Sequence, residues 1–205
     1  MNAGLLAGKY EIHPATSERW NDVEQLFGSN GAYAGCWCMF WRMPFKEYNH
    51  THGAGTRALM QELTDHELSP GLLAYEDGEV AGWCSIGPRE DYAGLERSKM
   101  FKRVDDTPVW SIVCFYVERK HRRTGMMAQL LHGAVDYAAA HGAQVVEAYP
   151  LDMDCELLKG KKLTRYQGFM GIASVFSEAG FVKVQDATET QVIMRYQIPA
   201  PLKKG

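Results

Sequence analysis

The sequence predicts an α/β fold, and three observations carry that prediction. Its apolar and turn residues alternate in the order β-α-α-β-β-β-α-β-α-β-β without internal repeats or a low-complexity linker. A dense apolar run, Val109 to Val117, passes through a basic turn into a helical pattern and then a second apolar strand, which makes a βαβ unit. The 205 residues are 46% hydrophobic, which suits one domain spanning residues 1–205 with a sizeable core.

Tyr10 to His13 reads as a short strand. Thr16-Ser17-Glu18 opens a helix through Trp20, Val23, Leu26 and Phe27 that Gly28 ends. A second helix is expected over Thr56 to Leu68, through Leu59, Met60 and Leu63. Leu72 to Tyr75 and Val80 to Ile86 form a hairpin joined at Asp77-Gly78, a strong two-residue turn signal. Residues 89–107 read as a short helix plus loop, and Val109 to Val117 is too continuously apolar for a half-exposed strand. A helix then runs through Met126, Met127, Leu130, Leu131, Ala134, Val135 and Ala138, with Gly142 as its stop. Val145 to Tyr149 follows as a strand parallel to Val109–Val117. A polar loop to about residue 168 leads to a helix ending at Ala179-Gly180, and two strands, Phe181 to Val184 and Gln191 to Tyr196, complete the chain.

Lys+Arg 22 against Asp+Glu 25 gives a net charge of −3, without the basic excess expected of a nucleic-acid binder. The opening MNAGLLAGKY lacks a cationic n-region with a long apolar core, and no apolar run spans a bilayer, so a cytoplasmic protein without membrane contact is expected. Five cysteines in that setting read as reduced thiols.

The chemistry concentrates between strand and helix. Arg119, Lys120, His121, Arg122 and Arg123 crowd ahead of Gly125, where a helix begins. The first turn of a helix carries unpaired N–H groups and the positive end of the macrodipole, so a diphosphate can sit there if a glycine lets it approach. The P-loop pattern and the G-x-G-x-x-G fingerprint are both absent. Val117-Glu-Arg-Lys-His-Arg122-Arg-Thr-Gly125-Met-Met127 instead resembles the [QR]-x-x-G-x-[GA] motif of the GNAT acyl-CoA N-acetyltransferases, with Met127 where that family usually has Gly or Ala. Phe176-Ser-Glu-Ala-Gly180-Phe181 resembles the family's closing Y-x-x-x-G-F, and the element order is the family's own.

That resemblance implies a central, mixed, mostly antiparallel sheet with one parallel strand pair, flanked by helices. It also implies acetyl-CoA as cosubstrate and acetyl transfer to a primary amine, on a small-molecule or peptide acceptor, by direct attack on the thioester. Backbone N–H groups of Arg122, Arg123, Thr124, Gly125, Met126 and Met127 would hold the pyrophosphate. Main-chain groups of Phe115, Tyr116 and Val117 would pair with the pantetheine arm. The family's thiolate acid, a tyrosine, falls at Phe176, and an asparagine that often touches the cofactor falls at Phe169. Tyr166, Ser174 or water would then supply the proton, or the thiolate would leave unaided. Glu147, the single carboxylate in its strand, is the candidate base, against the alternative of a strand-end glutamate facing solvent or an arginine. Asp152 and Asp154 are less specific candidates. A homodimer stays open.

Gly35-Cys-Trp-Cys-Met-Phe-Trp-Arg42 is too aromatic for an ordinary surface loop. With GLLAYEDGEVAGWCSIGPRE and PVWSIVCFYV it resembles a bacterial GNAT subgroup, a likeness that bears on fold more than on chemistry. Trp37, Phe40 and Trp41 read as core or as the wall of an acceptor pocket. Cys36 and Cys38, with His50 and His52, form a C-x-C and H-x-H pair whose spacing fits no standard zinc finger. Lys159, Lys161, Lys162 and Arg165 read as a solvated face. Two other function classes stay open: a CoA-binding module without catalysis, motivated by Phe176 and Met127, and a zinc-stabilised interaction domain.

Overall fold

The structure is a computed structural model, and it describes residues 9–163 and 167–200. Seven strands form one sheet in the order β1-β2-β3-β4-β5-β7-β6, where β1 is Tyr10–Pro14, β2 Gly71–Glu76, β3 Glu79–Pro88, β4 Trp110–Val117, β5 Val145–Ala148, β6 Val182–Asp186 and β7 Val192–Gln197. Every neighbouring pair is antiparallel except β4 and β5, so the mixed sheet with one parallel pair is as the sequence implied. At the β2–β3 hairpin, Asp77 and Gly78 have φ of 52° and 79°, the double positive φ of a type I′ turn.

Among the described residues six α-helices join the strands: α1 Trp20–Phe27, α2 Phe45–Thr51, α3 Ala54–Thr64, α4 Ala93–Glu96, α5 Met126–Ala140 and α6 Ala173–Glu178. The long helix α5 buries Met126, Leu130, Leu131, Ala134 and Ala138 against one sheet face. It ends in a Schellman motif: Gly142 N–H bonds to Ala139 O (3.1 Å) and Ala143 N–H to Ala138 O (3.0 Å). On the opposite face α1 and the aromatic 32–39 segment pack over Leu73, Val80 and Trp83. A second cluster there joins Trp41, Tyr92, Leu95, Phe101, Val113, Tyr149 and Met170.

Two expectations need correction. The helical pattern given to Thr56–Leu68 is realised as Ala54–Thr64, preceded by the additional helix α2. The closing helix does not begin near residue 168. It starts at Ala173, because Gly171 takes a φ of 93° and turns the chain across the sheet before α6 can form.

One irregularity in β4 sets the two faces of the site. Ser85 pairs with Cys114 and Ile86 with Ile112, so Val113 is an extra residue in β4. Ile112 and Phe115 therefore both face α5, while Val113 and Cys114 both face the other side, which strict alternation forbids. Phe176 is fully buried on the α5 face, with its ring 6.0 Å from Phe115 and 5.1 Å from Phe181. Phe176→Ala is expected to lower stability by about 3–5 kcal/mol, read from urea denaturation; a loss below about 1 kcal/mol would mean the ring is not core.

Candidate functional site

The basic turn sits where β4 runs into α5. Gly125, at φ 89°, is the N-cap residue of α5, and no side chain caps the helix. Arg123 also adopts a left-handed conformation, φ 64°, so the backbone on both sides of Thr124 is bent into a shape that glycine tolerates best. Thr124 Oγ1 donates to His121 O (2.6 Å), and Tyr10 Oη donates to Thr124 O (3.1 Å), which pins the turn to β1. No side chain caps the first-turn N–H groups of this 15-residue helix, where the positive end of its dipole lies.

The cations of the turn divide by partner. Lys120 pairs with Glu79 and Glu118, and His121 with Glu76 and Glu118. Among the described residues Arg119, Arg122 and Arg123 have no carboxylate partner, and Arg122 Nε donates to Val117 O (2.9 Å). Three guanidinium groups are left for an anion. Met127 packs against the α5-face core, and Met126, 1% exposed, lies under Gly82, where a Cβ would come within 2.7 Å of its sulfur. The bulky side chain at 127 is drawn into the core rather than over the turn.

The parallel ladder of β4 and β5 is only three residues long: Trp110 with Val146, Ser111 with Glu147, Ile112 with Ala148. Beyond it the strands part. Segment 169–172 enters the wedge: Phe115 N–H donates to Phe169 O (2.6 Å), Leu151 N–H to Gly171 O (3.1 Å), and Ala173 N–H to Leu151 O (2.8 Å). Phe115 N–H, expected to meet a pantetheine arm, is bonded to the chain's own loop. A Cβ on Gly171 would collide with the Phe176 ring, so the path of this loop depends on that glycine.

Glu147 is fully buried and both its oxygens are engaged. Oε1 accepts from Arg89 Nη1 (2.7 Å) and Tyr149 Oη (2.8 Å), and Oε2 accepts from Arg195 Nε (2.8 Å). Arg195 continues to Asp105 through Nη1 (2.7 Å) and Nη2 (3.1 Å), and Arg89 also pairs with Glu96. A fully buried carboxylate clamped between two guanidinium groups is out of reach of a substrate amine in this arrangement. The arginine-facing alternative describes its surroundings. Tyr166 and Arg165 lie outside the described residues, Ser174 is exposed, and Lys159, Lys161 and Lys162 are exposed.

On the face away from α5, Trp37 and Cys38 hold φ of 45° and 55°, a strained pair that carries the Cys38 thiol inward. Cys38 Sγ accepts from Trp83 Nε1 (3.1 Å). Hydrogen bonding from the Cys114 thiol lowers the Cys38 pKa against its burial, with Trp83 and the Arg42 charge adding to the effect. The bond to Cys38, and then burial, raise Cys114 well above the ordinary thiol value. Ser85 Oγ and Tyr92 Oη are 3.2 Å apart, and Arg42 Nη2 donates to Tyr92 Oη (3.2 Å) and Pro70 O (2.8 Å), which extends this polar patch along β3. His52 stacks on Tyr48, and among the described residues no group of three or more His, Cys, Asp or Glu could hold a metal ion.

Residues 34–154 match the acetyltransferase (GNAT) family, more than half of the chain. The chain belongs to the GNAT acetyltransferase family. Solved structures of the same fold include an acetyltransferase (16% identity, 92% of this chain and 100% of that one, TM-score 0.55). The ribosomal-protein-S5-alanine acetyltransferase of Vibrio fischeri is also similar (14%, 92% and 93%, 0.51), as is the GNAT domain of S. lividans PAT (14%, 92% and 90%, 0.51). Identities this low bear on the fold alone. No curated protein sequence matches the chain.

Acetyl-CoA is the acyl donor of GNAT acetyltransferases, and the uncapped end of α5 with its three unpaired arginines has the donor set a CoA diphosphate requires. Among the described residues no helix is long and apolar enough to cross a membrane. Sequence reasoning missed three features of this GNAT site: the extra residue at Val113, the Phe169 carbonyl on β4, and Arg42 beside Tyr92. The first two depend on backbone path, which no residue type announces; the third had a signal in an arginine closing an otherwise apolar CWCMFW run.

The Asp105 carboxyl is held well below the usual carboxylate range, first by Arg195 and then by the Thr107 backbone N–H. A depressed folded-state pKa gives stability that is present at neutral pH and is lost as pH falls through that value, so the loss begins below about pH 4. Asp105→Asn is expected to be less stable than the parent at pH 7, with the gap closing steadily below about pH 4. Denaturation curves across that range check it, and a gap independent of pH would overturn it.

Proposed function

We propose that this protein is an N-acetyltransferase that passes the acetyl group of acetyl-CoA to a primary amine of a small-molecule or peptide acceptor by direct attack on the thioester. The observation that carries this reading is the uncapped α5 N-terminus at Gly125, set beside arginines without carboxylate partners and at the mouth of the β4–β5 wedge. The α5 end would take the diphosphate on the backbone of Arg122 to Met127, with Arg119, Arg122 and Arg123 screening its charge. The wedge would take the pantetheine arm along the edge of Phe115, Tyr116 and Val117, after segment 169–172 releases Phe115 N–H.

Direct transfer asks little chemistry of the protein. A neutral amine attacks the thioester carbon, a C–N bond forms as the C–S bond breaks, the nitrogen releases a proton to water, and the thiolate takes one from solvent or a nearby group. Glu147 is assigned a positioning role, since its charge ties β5 to Arg89 and Arg195 and so fixes where the two strands part. Tyr166 stands as the proposed proton donor to the thiolate, because Phe176 carries no hydroxyl and is core. The buried phenyl ring of Phe176, which offers no proton to a leaving thiolate, favours one second reading, a module that binds CoA without turnover.

Acetyl-CoA is expected to raise the melting temperature of the protein, and thiol release with a panel of amines is expected to show turnover. Stabilisation without thiol release would favour the module, and no stabilisation would sink both readings. Gly125→Val should abolish that stabilisation with the circular dichroism spectrum retained; undiminished affinity would mean that the turn does not hold the diphosphate. Tyr166→Phe should lower kcat at least tenfold with KM for acetyl-CoA little changed if the phenol supplies the proton; an unaltered kcat removes it from the reaction.

A further inference from the structure

The five basic side chains ahead of Gly125 divide by exposure. Arg119, Lys120, Arg122 and Arg123 are exposed, while His121 turns inward with its side chain only 12% exposed. Its Nδ1 meets Glu76 Oε2 at the end of β2, and its Nε2 lies 3.6 Å from Glu118 Oε2. That Nε2 is buried and makes no hydrogen bond. A neutral imidazole has one N–H and one lone pair, so one of the two carboxylates then faces a lone pair. The imidazolium gives each carboxylate a donor. Acetyl transfer as proposed makes no use of this ring.

The charged groups around the ring come from several elements. Lys9, just ahead of β1, reaches the other oxygen of Glu76 (2.7 Å), Glu118 belongs to the turn itself, and Glu79 at the start of β3 is held by Lys120 (2.8 Å). Within that cluster three carboxylates face two lysines, and the ring supplies a third cation when it is protonated. His121 also organises the backbone that follows it. Thr124 Oγ1 donates to His121 O (2.6 Å), and His121 N–H donates to Glu118 O (3.0 Å). Arg123 and Gly125 both take positive φ, and an arginine keeps such a conformation only where surrounding contacts fix it. Three side chains tether this bent segment to the sheet: Tyr10 to β1 through Thr124 O, His121 to β2 through Glu76, and Lys120 to β3 through Glu79. Of the three only an imidazole changes charge near neutral pH.

We propose that His121 is a positioning residue of the basic turn: as an imidazolium between Glu76 and Glu118 it holds the Arg122–Gly125 backbone in the form that receives the CoA diphosphate, and loss of its proton to water loosens that form. The inference rests on the reading of this turn as the diphosphate site. It makes acetyl-CoA affinity greatest below neutrality and weaker as the pH rises through the imidazole range, about 6 to 8.

Glu76→Gln separates positioning from simple charge. Removing a carboxylate beside an anion site should tighten acetyl-CoA binding if only the field matters. If the ring has to be held, calorimetry at about pH 6 should instead show binding weakened at least about fivefold. His121→Gln should weaken binding to a similar degree at about pH 6, and the ratio of parent to variant affinity should close toward one by about pH 8.5. The CoA phosphate monoester titrates in the same range, but it does so with both proteins and drops out of the ratio. Circular dichroism reports the fold of each variant. One readout needs no variant: saturation of the parent with acetyl-CoA should move the midpoint of the His121 ring titration, followed by NMR, upward by about half a pH unit or more, the reciprocal of the same coupling. Unchanged or tighter binding in Glu76→Gln, an affinity ratio independent of pH, or an unmoved midpoint would each overturn the proposal. Failure of the parent to bind acetyl-CoA would overturn the diphosphate reading and this inference with it, whereas binding without these effects overturns the inference alone.

Discussion

The constraint on which this molecule depends is the parting of β4 and β5 after three paired residues. A parallel pair normally continues until one strand ends, because each further residue adds a ladder hydrogen bond. Here β5 ends at Ala148 and Pro150 follows two residues later, so it cannot extend the ladder with an N–H of its own. β4 runs on through Val113 to Val117 with one edge facing away from any strand. An exposed strand edge is a template for an extended partner. In the free protein the Phe169 carbonyl takes that place at Phe115.

The parting would be soft without the ion network behind it. Glu147 bonds to Arg89 from the β3–β4 connection and to Arg195 from β7, so the charge at the middle of β5 holds strands on both sides. A buried ion pair does not by itself add stability, since the desolvation of its members offsets much of the attraction. What it adds is position: a glutamate with both oxygens occupied fixes the height at which β5 stops. On the α5 face Phe176 does the complementary work through packing. It fills the space between Phe115 and Phe181 and forces Gly171 to remain a glycine, which brings segment 169–172 into the wedge.

Particular residues show how far the sequence could be read. The Asp77-Gly78 hairpin, the apolar β4 and the Gly142 stop of α5 were legible because each rests on a local rule, a positive φ or a burial period, that residue type reports directly. The basic turn was legible for the same reason, as glycine at a helix start among arginines. The role of Glu147 was not, because its partners Arg89 and Arg195 are 58 and 48 residues away and nothing local pairs them. Nor was the entry of Phe169 into the wedge, where the interacting group is a carbonyl that every residue possesses. Val113 looks like one more valine in an apolar run, although it is the residue that reverses the faces of β4.

Reversing those faces is what separates the two halves of the site. Without the extra residue, Cys114 would point to α5 and Phe115 to the aromatic side, and the core beside α5 would lose the Phe115 ring. With it, Phe115 stays against Met126 and Phe176 while Cys114 turns to Cys38 and the Arg42–Tyr92 patch. The basic turn before α5 and the polar patch over β3 therefore lie on opposite faces of β4. Strain at Trp37 and Cys38 fits this geometry, since a left-handed pair is the means by which an otherwise aromatic loop turns a thiol, not a ring, toward β4.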